Sequence, residues 1–240
     1  MALLHGVALG VCLGLVGANA SWAQQTSVET PDTLRQRAVA EARAGRLAEA
    51  LALFAQLRQS VPADRAVLYD YAVVLTWAGR NAEALELLAR MAPRAAPDYV
   101  LEALAKAARD AHRYDQAITL YRLLLERRPD HPQARLGLAL ALTDGGQFPE
   151  AKRRFDELLK ETPYDIGRLL GYAYYWQRNR NFARALALFE QVLRVDPGNR
   201  EALSGKALAK ARQPAPPPPS PAQIAAQAEQ KPCWSCARAR

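Results

Sequence analysis

Two ladders of alanine run through this chain in step. One holds Ala50, Ala84, Ala117, Ala151 and Ala185; the other holds Ala38, Ala72, Ala105, Ala139, Ala173 and Ala207. Each recurs every 33 or 34 residues. A fixed period of that length marks one small structural unit copied along the chain. Alanine at the rungs also says how the copies pack. Only a small side chain lets two helix axes approach at the short end of the usual ~8–10 Å. The ladders therefore predict an all-α solenoid of antiparallel helix pairs, helix A then helix B. Half of the 240 residues are apolar, ample for a core. A fold of this kind offers a long surface for binding rather than a catalytic cleft.

The other offsets within the period are equally readable. The units run 31–64, 65–97, 98–131, 132–165 and 166–199, and a lone helix A at 200–212 begins a sixth. Gly45, Gly79 and Gly146 fall between the helices of a pair, where a left-handed residue ends helix A. His112 and Arg180 take that place in units three and five, at some cost to the turn. Leu47, Tyr114, Phe148 and Phe182 open helix B as wedges. Phe54, Leu88, Tyr121, Phe155 and Phe189 plug the seam to the next unit, and Leu57, Met91, Leu124, Leu158 and Val192 extend that stripe. Pro62, Pro129, Pro163 and Pro197 stop helix B. Unit two is one residue short and carries Pro93 and Pro97 instead. The pattern resembles the tetratricopeptide repeat. That resemblance implies five repeats plus a C-terminal capping helix over 31–212, coiled into a right-handed superhelix with the A helices on its inner face. Lys206 and Lys210 stand in the cap where inner units carry apolar residues.

The two ends have a different character. Residues 1–23 read as a secretory signal: an apolar run from Gly6 to Leu15, then small residues and a cleavage site at Ala18-Asn19-Ala20 or Ser21-Trp22-Ala23. The run is too short to span a bilayer, and no Lys or Arg precedes it. A buried internal helix is the other reading. The signal implies a periplasmic protein. Residues 213–240 form a Pro-rich tail expected to lack fixed structure, with Pro214 to Pro221 nearly all proline. Net charge is +8, but the arginines scatter over helix faces instead of forming a block. We read that as a solvated outer face and expect no nucleic-acid partner. Cys233 and Cys236 form a C-x-x-C pair without a neighbouring strand, a following His or further ligands. They predict neither a redox site, a haem nor a metal.

Function should live on the inner face. In the repeat frame, positions 2, 5, 9, 12 and 13 of each unit point inward. Candidate groove residues are Tyr69 and Trp77 in unit two, with Val73 and Thr76 beside them. Unit three adds Tyr99, Glu102, Arg109 and Asp110, with Lys106. Asp144 follows from unit four, and Tyr174, Gln177 and Arg178 from unit five. Unit one offers Asp32, Arg35 and Arg43. Aromatic faces stack on sugar rings or peptide side chains, and carboxylates pair with amines. Tyr69, Trp77 and Tyr174 have a second reading, as packing between adjacent A helices. Trp176 and Tyr172, one helix face round, belong to the core.

Three strings carry a closer resemblance. They are Leu75-Thr76-Trp77-Ala78-Gly79-Arg80, the segment from Arg135 to Gly146, and the segment from Leu169 to Arg180. In order and spacing they resemble the outer-membrane porins that export poly-β-1,6-N-acetylglucosamine, over about Arg37 to Ala211. The resemblance implies a periplasmic repeat domain that guides partly deacetylated polymer, delivered by a periplasmic deacetylase, toward an outer-membrane pore. Glu102, Asp110 and Asp144 would then meet free amines. No alternating barrel strands follow Arg212, so the chain is expected to be a truncated or frameshifted relative.

Catalytic chemistry has no foothold in the sequence. Besides His5, only His112 and His131 exist, both between helices, and no serine lies in a nucleophile-elbow string. No phosphate-binding glycine loop occurs, and no cofactor is implied. The alternative to a polysaccharide guide is a secreted protein–protein adaptor gripping a partner's peptide.

Overall fold

The computed structural model describes residues 29–88 and 90–212. Its helices are α1 (Pro31–Arg43), α2 (Leu47–Ser60), α3 (Arg65–Trp77), α4 (Asn81–Leu88), α5 (Asp98–Asp110) and α6 (Tyr114–Arg127), followed by α7 (Pro132–Asp144), α8 (Phe148–Glu161), α9 (Ile166–Arg178), α10 (Phe182–Val195) and α11 (Arg200–Arg212). The described residues hold no strand. Every A helix starts at the first residue of a unit read from the sequence. Side chains fix those starts: Thr30, Asp64, His131 and Asp165 each accept the backbone N–H three residues on. A cap of this kind satisfies one of the donors that a helix N-terminus leaves orphaned. The signal, the tail and Cys233 and Cys236 lie outside the described residues. Among the described helices, none is long and apolar enough to cross a membrane.

The pair turns behave as their residues demand. Gly45, Gly79 and Gly146 adopt φ of 82°, 73° and 74°, and His112 and Arg180 are forced to 59° and 58°. His112 is partly compensated, because its Nδ1 lies 2.8 Å from the Tyr114 hydroxyl. Arg180 makes no such side-chain bond among the described residues. A left-handed L-residue costs about 1–2 kcal/mol, against ~0.5–1 for the extra freedom of unfolded glycine. Arg180→Gly is therefore expected to raise stability by about 0.5–1 kcal/mol. The check is a urea melt in which the midpoint rises at constant slope; a lowered midpoint would refute the account.

Packing explains both ladders. The alanines of units one to five are fully buried, so helices A and B meet backbone to backbone there. The plugs Phe54 and Phe155 are fully buried, and Tyr121 and Phe189 nearly so. A second column of small residues receives them. A Cβ on Gly137 would fall 2.4 Å from the Tyr121 ring, and one on Gly205 would fall 2.3 Å from Phe189. These glycines supply space for a ring. Tyr172 and Trp176 are buried as expected, and Tyr172 stacks on Phe155 with centroids 5.1 Å apart.

Unit two departs from its neighbours. Its helix B, α4, has 8 residues, where the B helices of the other four units have 14. A 3-10 turn at Pro93–Ala95 replaces its last turns. Arg127 of α6 repairs the break, donating to the carbonyls of Ala96 and Arg94 at 2.6 Å each. At the far end, α11 packs on α10 and α9, and Lys206 pairs with Glu190 at 3.1 Å. The outer side of that cap is less polar than the sequence suggests. Leu203, Ala207 and Leu208 are exposed, because no helix B covers this sixth A helix among the described residues.

Candidate ligand-binding groove

The A helices α1, α3, α5, α7 and α9 pack side by side. Two hollows open on their shared face. The first, about 640 Å³, is walled by α1, α3 and α5: Val39, Ala40, Val73 and Val74 give an apolar floor, and Arg35, Arg43 and Asp70 give charge. The second, about 420 Å³, holds Thr76, Asn81, Glu102, Lys106 and Asp110. Trp77 and Tyr99 line both and form the ridge between them. Their exposures, 49% and 51%, are unusual for such large rings. Trp77 closes α3 in the last turn before Gly79, so no later turn of its own helix covers it.

The candidates divide accordingly. Trp77, Tyr99, Glu102 and Asp110 come together around the second hollow. Arg109, Asp144, Tyr174 and Arg178 form another cluster further along. Gln177 turns toward α11, donating to the Gly205 carbonyl at 3.3 Å. Tyr69 is corrected: it is 7% exposed and belongs to the core. The same repeat position holds Arg35 and Glu102, which line the hollows, so side-chain chemistry decides: the charged groups stay wet, and the apolar ring of Tyr69 packs into the core, where burial is favoured. Its hydroxyl has no hydrogen-bond partner among the described residues.

Asp70 was missed, and it organises the first hollow. Its carboxylate accepts from Arg35 Nη1 at 2.6 Å and from the Tyr99 hydroxyl at 2.8 Å. Three successive A helices are thereby tied at one carboxylate. The same relay recurs two units on. Asp144 lies 3.8 Å from Arg109 and accepts from the Tyr174 hydroxyl at 2.5 Å. Burial first, and the bond to Asp144 second, push the Tyr174 phenol up to about 12. Burial and then the bond to Asp70 likewise hold the Tyr99 phenol far above its ordinary value. Both tyrosines thus stay neutral donors, and both carboxylates are satisfied within the protein. Asp144 is not the open amine acceptor that the sequence suggested.

Tetratricopeptide-repeat family models match residues 41–107, 108–170 and 169–217. No curated protein matches. Among solved structures, the chain is similar to YrrB, described as a TPR protein with an unusual peptide-binding site. That likeness has 16% identity and a TM-score of 0.61, covering 75% of this chain and 93% of YrrB. It is also similar to a tetratricopeptide repeat protein from Parabacteroides merdae, with 19% identity, a TM-score of 0.63, and 76% and 73% of the two chains covered. MamA MSR-1 matches at 25% identity and a TM-score of 0.59, with 70% of this chain and 97% of that one covered. The repeat period, the stacked helix pairs and family matches over more than half of the sequence agree: the chain belongs to the tetratricopeptide repeat family.

Proposed function

We propose that the chain is a non-catalytic binding module that grips an extended peptide segment of a partner protein along its A-helix groove. The observation that carries this is the Trp77–Tyr99 ridge, two half-exposed rings standing between two hollows. Large aromatic anchors beside a pocket are what dominate binding energy at protein interfaces. The first hollow is of ligand-pocket size and has an apolar floor, which suits a side chain projecting from the bound segment. The structural likeness to a protein described as peptide-binding supports the same reading.

The test is a random peptide library panned on the full chain, with selected peptides measured by fluorescence anisotropy. Trp77→Ala is expected to weaken them by about 30-fold, the loss of one hot-spot side chain. Equal affinity for wild type and variant would place the binding face elsewhere.

A second reading is a guide for partly deacetylated poly-N-acetylglucosamine, alongside a periplasmic deacetylase. Its support is the resemblance to the export porins and the row of exposed aromatic planes, Trp77, Tyr99 and Tyr174. Titration with β-1,6-glucosamine oligomers decides it: saturable, Trp77-dependent binding would favour the sugar. Under either reading the module works in the periplasm, on the strength of the leader-like residues 1–23. A mature protein retaining Met1 would overturn that placement.

A further inference from the structure

The charge pairing along the groove carries a statement about the ligand. Four of the five groove carboxylates lie within 4 Å of an arginine. Asp32 and Asp70 share Arg35, Asp110 and Asp144 share Arg109, and Glu102 lies 3.8 Å from His131 Nε2. His131 supplies that charge only when protonated. The cations are less completely matched. Among the described residues, Arg43, Lys106 and Arg178 form no ion pair with any Asp or Glu. All three are exposed. Arg43 lines the first hollow and Lys106 the second, on opposite sides of the Trp77–Tyr99 ridge. Arg178 ends α9, with one long 3.5 Å contact to the Asp144 carbonyl.

Their placement is regular. Arg43 is on α1, Lys106 on α5 and Arg178 on α9, one unmatched groove cation on every second A helix; Arg65, also unpaired among the described residues, stands at the first position of α3, outside the groove positions. Neighbouring helices pack about 8–10 Å apart, so two units advance roughly 16–20 Å. An extended chain covers ~3.3–3.6 Å per residue. Successive cations are therefore about five or six residues apart along a bound peptide.

Resting on the peptide-binding reading, we infer that the groove selects an acidic extended segment. Its carboxylates recur about every five or six residues, and a large apolar side chain between them enters the first hollow. The chemistry is complementary on each count. The relays already pair Asp70 and Asp144 with arginines that Asp32 and Asp110 share, so an amine-bearing ligand finds few open partners beyond Glu102. An incoming carboxylate finds three cations without displacing any pair.

The experiment compares peptide pools panned from one random 16-residue library on the full chain, on Trp77→Ala, and on Arg43→Glu/Lys106→Glu/Arg178→Glu. All three charge changes are at exposed positions, and circular dichroism melts confirm that the variants fold. Wild type is expected to enrich acidic peptides with the stated spacing. The triple variant is expected to bind those peptides about 10- to 100-fold more weakly, since three weak attractions become repulsions, and to select basic peptides instead. Trp77-dependent peptides without acidic enrichment, or with unchanged affinity for the triple variant, would overturn the inference while leaving the peptide-binding reading intact. Selection of no Trp77-dependent peptide at all would overturn both.

Discussion

Replacing Phe155 with alanine is expected to cost the array about 3–5 kcal/mol, the range for removing a buried aromatic side chain and leaving a cavity. The ring is fully buried and stacks on Tyr172 at 5.1 Å, with Tyr175 at 6.0 Å. It belongs to α8, but its partners belong to α9, so the loss falls on the seam between units four and five. Stability in such an array is the sum of unit and interface terms, and a broken interface frees everything beyond it. Hydrogen exchange should therefore report faster opening of α9, α10 and α11 than of α1 to α6. A uniform increase along the chain, or a melt shifted by less than 1 kcal/mol, would contradict the seam assignment.

Ala139→Leu is the second large effect, about 3 kcal/mol or somewhat more, at the upper end of the cost of overpacking a core. Ala139 is fully buried on the face of α7 that α8 approaches. A leucine there has no volume to occupy unless the two helices separate. Ala207→Leu makes the comparison sharp. It is the same change at the same repeat position, but Ala207 is exposed because, among the described residues, no helix B covers α11. Its expected effect is within about 0.5 kcal/mol, as for ordinary surface changes. Similar melting shifts for the two variants would show that the ladder does not set the helix spacing.

Periodicity made the register legible. Each A helix begins where the repeat frame starts it, because caps, glycines and prolines recur with the alanines and all point to the same boundaries. Unit two was only half legible. Its missing residue and two prolines announced a disturbance, but the repair by Arg127 joins residues 31 and 33 positions apart. No local pattern reveals such a bond. The groove was harder still. Tyr69 and Tyr99 looked alike as inward-facing aromatics, yet one is buried and the other half-exposed. Asp70 left a readable trace. It occupies the column where later units hold Ala103, Gly137, Gly171 and Gly205, and a carboxylate among small residues asks for a reason. That reason, Arg35 and Tyr99, lies 35 and 29 residues away.

The two Arg–Asp–Tyr relays have a mechanical consequence. A stacked repeat array normally holds together only through adjacent pairs, which lets it flex like a spring. Asp70 and Asp144 each lace three consecutive A helices together. Bending that changes the pitch must lengthen these bonds. The laced face should therefore resist stretching, and compliance should concentrate on the B-helix side, where the cross-unit links, such as Arg122–Glu150 at 2.8 Å, join only two units at a time.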